Sequence, residues 1–337
     1  MSKKKSTANF FSVYRKYYLL ILGILLISLS SFLNYKFSES KVVKDLKKTI
    51  VYEPLESVLG DSDENGDKKA EKIEELPVQN GFSAKSYILY DVNSSQIVGG
   101  KDVDVLLPNA STTKLMSAYL VIKKYPLDSI LTVPAECVGV EGNNVGFVAG
   151  EKFYVEDLLY GMLLRSASDA TCVFSANYSK GTPGFVDEMN KEAKNLRLEN
   201  THYTNPIGLD DVNHYSSSRD LLKMTLELRK IEKLKIVMGS RDFTLKEISF
   251  GKRYYVSNTN ELLFTLPGTV GYKTGFTSNA GECLVFGYNN FGTELIIVIM
   301  GSTDRFSDAK QLLRLYEQKA HPDAGIVEST TSVKPGN

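Results

Sequence analysis

Along the chain the spacing of apolar positions changes several times, and each change marks an element. Residues 87–92 form a β-rich run, Asn93 to Ser95 is a turn signal, and Gln96 to Gly100 returns, so a hairpin is predicted. Residues 111–125 follow Pro108 and stop before Pro126. Within them Leu115, Tyr119 and Ile122 recur at helical spacing. The same pattern predicts helices over 155–178, 184–198 and 218–231. β patterning comes back over 271–277, 283–288 and 294–300, with a turn from Asn289 to Gly292. A helix over 308–319 closes the region, with Leu312, Leu313 and Tyr316 on one face. Strands therefore lie at both ends of this region and helices fill the middle. The first hairpin can complete a sheet made by the last three strands. This is an α+β arrangement, not alternating βαβ units.

Outside this region the pattern is different. Lys3, Lys4, Lys5, Arg15 and Lys16 precede an apolar run over 17–33, which places residues 1–16 in the cytoplasm and the chain beyond the run outside it. The run has two readings. It is a cleavable signal peptide, with Ser28 to Ser30 as a small-residue site, or an uncleaved transmembrane anchor spanning roughly 25 Å at about 1.5 Å per residue. The lack of an Ala-x-Ala site favours the anchor. Residues 34–80 are polar and dense in charge of both signs, too poor in apolar surface to offset their ordering entropy, and read as a disordered tether. Residues 321–337 read as a loose tail without amphipathic pattern. A single folded domain over 81–320 remains.

Composition narrows the chemistry. The 40 Lys+Arg against 40 Asp+Glu leave no basic excess for nucleic acid. His202, His214 and His321 form no HExxH or tight His/Cys cluster, so no zinc site is expected. Cys137, Cys172 and Cys283 are too few for a disulfide framework and read as small buried hydrophobes. A Cys172–Cys283 bridge is the alternative that an exported location allows.

If such a chain is a hydrolase, its poverty in histidine calls for another base. Ser111, Thr112, Thr113 and Lys114 make an S-x-x-K, which puts serine and lysine on one helical face. Burial lowers a lysine pKa, so that a neutral amine can take the serine proton. The pattern alone is weak, since it also starts at Ser2, Ser38, Ser249 and Ser307. Two further motifs single out Ser111. Lys273, Thr274 and Gly275 form the chain's only K-T-G, on a predicted strand, where glycine lets a ligand approach and lysine and threonine suit a carboxylate. Ser166, Ala167 and Ser168 stand where an S-x-N would fall; a literal S-x-N at Ser175 to Asn177 lies mid-helix.

With their surroundings, these motifs resemble the serine-type D-Ala-D-Ala carboxypeptidases, the low-molecular-mass penicillin-binding proteins of the S11-like peptidase family. The similarity runs from about Ser86 to about Gly301, including 108–116, 185–190, 200–209, 214–220 and 267–283. It implies a β-lactamase/transpeptidase-like fold: a five-stranded antiparallel sheet flanked by helices, with an inserted helical subdomain. It implies Ser111 as the acylated nucleophile, Lys114 as general base and Ser166 as proton relay. Ser168, Lys273, Thr274 and Gly275 would bind substrate. The backbone N–H groups of Ser111 and Phe276 would form the oxyanion hole, with no metal or cofactor. The substrate would be a peptidoglycan stem peptide ending in D-Ala-D-Ala, with β-lactams as covalent inhibitors and a membrane contact through the N-terminal segment.

Ser168 departs from the family's asparagine, which leaves a weakened, sensor-like module as one alternative. A class A-like β-lactamase is another, but no E-x-x-x-N context stands in the chain. A Ser-His-Asp triad through His214 and Asp220 would leave Lys114 and the K-T-G without work.

Overall fold

The computed structural model describes residues 73–320, apart from residue 291. The segments 1–16 and 17–33, the tether up to residue 72 and the tail over 321–337 lie outside the described residues. The expected tether boundary at residue 80 falls inside the packed region: Leu76 is buried, and its N–H donates to the Tyr87 hydroxyl at 2.9 Å.

The chain opens with strands β1 (Ser86–Asp91) and β2 (Gln96–Lys101), then a 3-10 turn over Ala110–Thr113 that runs into α1 (Lys114–Lys124). Short strands β3 (Ile130–Thr132) and β4 (Lys152–Tyr154) flank a loop, and α2 (Val155–Leu164), α3 (Ser168–Ala176), α4 (Gly181–Asn195), α5 (Ser218–Leu228) and α6 (Glu232–Gly239) come after it. A hairpin of β5 (Asp242–Lys246) and β6 (Arg253–Ser257) and a helical turn α7 (Leu262–Thr265) lead into β7 (Thr269–Thr277), β8 (Gly281–Asn290), β9 (Thr293–Ser302) and α8 (Arg305–Ala320).

The main sheet has the order β2-β1-β9-β8-β7, and every neighbouring pair is antiparallel. The first hairpin therefore does complete the sheet of the last three strands. β1, β8 and β9 lie inside the sheet and are covered on both faces, so they read as apolar runs instead of alternating patterns. On one face Tyr87, Leu89, Leu284, Phe286, Ile297 and Ile299 pack with Ala309 and Leu312 of α8. α5 covers the other face; its start is capped by Ser217, which accepts the Asp220 N–H at 3.2 Å. α1 is buried from Lys114 to Val121 and forms the axis of the helical part.

Three expectations are corrected. The helix predicted over 155–178 is two helices, α2 and α3, because Ser166 takes a left-handed conformation at φ 59° and breaks the run. Cys137 and Cys172, read as unbridged, form a disulfide with Cα atoms 5.4 Å apart, and the alternative partner Cys283 is a free, buried thiol. Their 35-residue separation hid a contact that only packing of α3 against the turn at Ala135–Cys137 creates. The helix expected from Ser111 begins as α-helix only at Lys114. α6 and the β5–β6 hairpin carried no periodic signal strong enough to be predicted.

Candidate active site

Four pieces of chain meet at the exposed edge of β7: the turn over Ala110–Thr113, the α2–α3 junction, the 205–209 loop and β7 itself. A buried scaffold shapes the turn. The Thr113 hydroxyl accepts from Asn109 Nδ2 at 3.0 Å and meets His214 Nε2 at 2.7 Å. His214 Nδ1 accepts the Thr204 N–H at 3.1 Å, so Nε2 carries the ring proton and donates. Desolvation pushes the His214 pKa down to about 4, which keeps the ring neutral. His214 is thus a structural brace. The carboxylate of Asp220 accepts from Asn200 N and the Thr201 hydroxyl, and forms no triad with it. Ala110 is held at φ 45°, a left-handed position that is strained for alanine and that presents the next residue, Ser111.

Ser111 Oγ stands 3.0 Å from Lys114 Nζ. Lys114 is 1% exposed, and its Nζ also donates to the Ile207 carbonyl at 2.7 Å. Desolvation brings its pKa down to about 7, against the opposing pull of the Asp169 carboxylate. A neutral amine here has a donor for Ile207 and a lone pair for the serine proton. The loop that supplies this carbonyl is itself fixed. Asn205 Oδ1 accepts the N–H groups of Ile207, Gly208 and Leu209. Gly208 lies at φ +89°, where a Cβ would stand 1.9 Å from the Ala110 carbonyl oxygen, so only glycine fits.

Ser166 is 4% exposed in its left-handed junction. Ser168 starts α3; its N–H donates to the Asn143 carbonyl at 2.6 Å, and its hydroxyl packs against Gly142. Asp169, buried beside it, accepts N–H groups from Val145, Gly146 and Phe147 and so holds the 143–147 loop over the junction. The literal S-x-N is structural: the Ser175 hydroxyl meets Thr182, and Asn177 Nδ2 donates to Thr132 and Val173 carbonyls.

On β7, Lys273 is 1% exposed and its Nζ donates to the Thr274 carbonyl at 2.9 Å. Desolvation drives its pKa well below the lysine range, and the cations Lys114 and Arg305 add to that. A Cβ on Gly275 would come within 3.0 Å of the Ser111 nitrogen, which explains why the K-T-G ends in glycine. Phe276 is exposed, 64%, at the rim. Arg305 donates to the Gly275 carbonyl at 2.8 Å and fixes this strand from α8.

Sequence reasoning missed the Ile207 carbonyl, Gly208, the clasp of Asp169 on the loop, and Arg305. The segment 200–209 was singled out only as similar to family sequence. Arg305 had no signal, because its partner is a backbone atom. Among the described residues no cluster of three or more His, Cys, Asp or Glu could hold a metal.

A serine beside a buried lysine of lowered pKa, packed against a K-T-G edge strand, defines the class of the active-site-serine DD-peptidases. The D-alanyl-D-alanine carboxypeptidase family, peptidase S11, matches residues 72–304, and the chain belongs to it. The D-alanyl-D-alanine carboxypeptidase DacF of Bacillus subtilis is 31% identical over 225 residues, covering 65% of this chain and 58% of that protein. A D-alanyl-D-alanine endopeptidase of Pseudomonas aeruginosa is 30% identical over 251 residues, 72% of this chain and 80% of that protein. The crystal structure of the Streptomyces K15 DD-transpeptidase superposes with a TM-score of 0.66 at 28% identity, covering 69% of this chain and 97% of that one. The chain thus spans less than two thirds of the Bacillus carboxypeptidase and nearly the whole of the Streptomyces fold.

Proposed function

We propose that the chain is a serine D,D-carboxypeptidase that removes the terminal D-Ala of peptidoglycan stem pentapeptides through an acyl-enzyme. Neutral Lys114 takes the Ser111 proton as Oγ attacks the carbonyl between the two D-Ala residues. The backbone N–H groups of Ser111 and Phe276 receive the oxyanion. Ser166 passes a proton to the leaving amine, whose departure leaves the acyl group on Ser111. Water then hydrolyses the ester, with Lys114 again as base. Lys273, Thr274 and Gly275 take the terminal carboxylate, and Ser168 lies along the peptide. An incoming carboxylate restores the charge partner that Lys273 lacks, so binding favours protonated Lys273.

The observation that carries this reading is the buried Lys114 Nζ at 3.0 Å from Ser111 Oγ. A β-lactam carries the same carboxylate and a strained amide, and acylates the same serine. The extracytoplasmic setting, with residues 17–33 as a membrane anchor, residues 34–72 as tether and the catalytic domain from about residue 73, belongs to the same proposal. It is supported by the basic flank and the apolar run.

Intact mass measurement after penicillin exposure tests it. A covalent adduct on the wild type and none on Ser111→Ala is expected, with release of D-Ala from a pentapeptide. Rapid turnover of penicillin would favour the β-lactamase alternative. An adduct without D-Ala release would favour a sensor. Transfer of the acyl group to an amine would align the chain with its transpeptidase neighbours.

A further inference from the structure

We propose that Thr259 is a positioning residue for carboxylate recognition. Its hydroxyl donates to the Thr274 hydroxyl and thereby commits the one Thr274 proton to the ligand. The inference rests on the role given to Thr274 above. Thr259 Oγ1 and Thr274 Oγ1 are 2.5 Å apart, and neither hydroxyl has another hydrogen-bond partner among the described residues. Two hydroxyls hold two protons and share one bond, so one proton is left without a protein acceptor. Its direction depends on which threonine donates to the other. If Thr274 donated to Thr259, Thr274 would turn a lone pair toward the carboxylate and repel it. With Thr259 as donor, the spare proton sits on Thr274, beside Lys273.

The Thr259 backbone cannot drift from this task. Its N–H donates to the carbonyl of Leu164, the last residue of α2, at 3.0 Å. Asn258 Nδ2 donates to the Met238 and Ser240 carbonyls, and Asn258 Oδ1 accepts the Asn260 N–H at 2.9 Å. Asn260 Oδ1 in turn accepts the Leu262 N–H at 3.2 Å. The Lys273 ammonium or amine holds the Thr274 carbonyl from the other side. Thr259 therefore ties the end of α2, two residues before Ser166, to the carboxylate-binding strand. A bond of this kind orients a donor more than it adds one.

The test compares acylation of the full-length protein by a penicillin and by the same penicillin with its carboxylate methylated. Thr259→Val is expected to lower acylation efficiency by the free acid about fivefold to tenfold, the size of one lost neutral hydrogen bond. It should leave the methyl ester and the deacylation rate unchanged. Thr259→Ser, which keeps the hydroxyl, should restore the free-acid rate. In a double-mutant cycle, Thr259→Val should add nothing once Thr274 is valine. Equal loss with both ligands, failure of serine to rescue, or additive losses would overturn the proposal. Thermal unfolding separates these results from misfolding, and Thr259→Ala, which also lacks the hydroxyl, carries the same comparison if valine does not fold. Absence of any wild-type adduct overturns the functional reading, and this inference with it.

Discussion

The sheet face beneath α8 and the seam between β7 and the helices are equally dry, yet they are built from opposite chemistry. Beneath α8 the buried groups are Tyr87, Leu89, Leu284, Phe286, Ile297, Ile299 and Leu312. Apart from the Tyr87 hydroxyl, which accepts the Leu76 N–H, an apolar set of similar volume would fill that space, because dispersion and burial are not directional. At the seam the buried groups are Asn109, Thr113, Lys114, Asp169, His214 and Lys273. Each of these is costly to bury alone and is held by particular partners. The face stabilises the fold. The seam draws on that stability to hold the pKa values of two lysines below the ordinary range, and in the proposed function an anionic substrate would answer Lys273.

The difference can be broken first at Lys114. Lys114→Ala should reduce penicillin acylation about 1,000-fold, as loss of a general base does. The melting temperature should hold or rise, because the desolvated amine no longer has to be buried. A variant that loses stability along with activity would make the seam structural, like the face. Next, replacing Cys172 with alanine opens a cross-link between residues 35 apart and should cost roughly 3–4 kcal/mol in denaturant unfolding. Ile297→Ala on the α8 face should cost about 3 kcal/mol by the same measurement and leave acylation per folded molecule unchanged.

The smallest effect concerns pH. Acylation should rise with pH and level off with a midpoint near 7, as Lys114 loses its proton. Asp169→Asn removes the carboxylate that favours the ammonium, so the midpoint should move to lower pH in the pH–rate profile. The linkage to folding has the same sign. Between about 7 and the ordinary lysine value of 10.5 the unfolded chain binds a proton at Lys114 that the folded chain does not. The destabilisation from Lys114 is therefore full below 7 and fades as pH rises toward 10.5.

Much of this was legible in one dimension. The β-rich pattern of 87–92 and 294–300 led to adjacent strands, and the K-T-G lay on a strand as expected, while its place at the sheet edge came from the topology. The break at Ser166 was not legible, since Arg165 to Ser168 read as uninterrupted helix and a serine gives no local signal for a φ of 59°. The disulfide was missed because its two cysteines belong to elements that meet only after α3 packs.

What the sequence determined by itself is the chemistry on offer: which side chains exist, in which order, and on which local periodicity. Helical spacing already put Ser111 and Lys114 on one face, and the β-rich runs already marked the strands of the sheet. Tertiary structure decided what those groups become. The lowered pKa of Lys114 comes from burial beside the Ile207 carbonyl, 93 residues away, and the Asp169 carboxylate limits how far it falls. The brace on Thr113 comes from His214, 101 residues away. Local sequence sets backbone preference because those forces act between near neighbours. Desolvation and hydrogen-bond satisfaction depend on everything that surrounds an atom, and only the folded chain defines that.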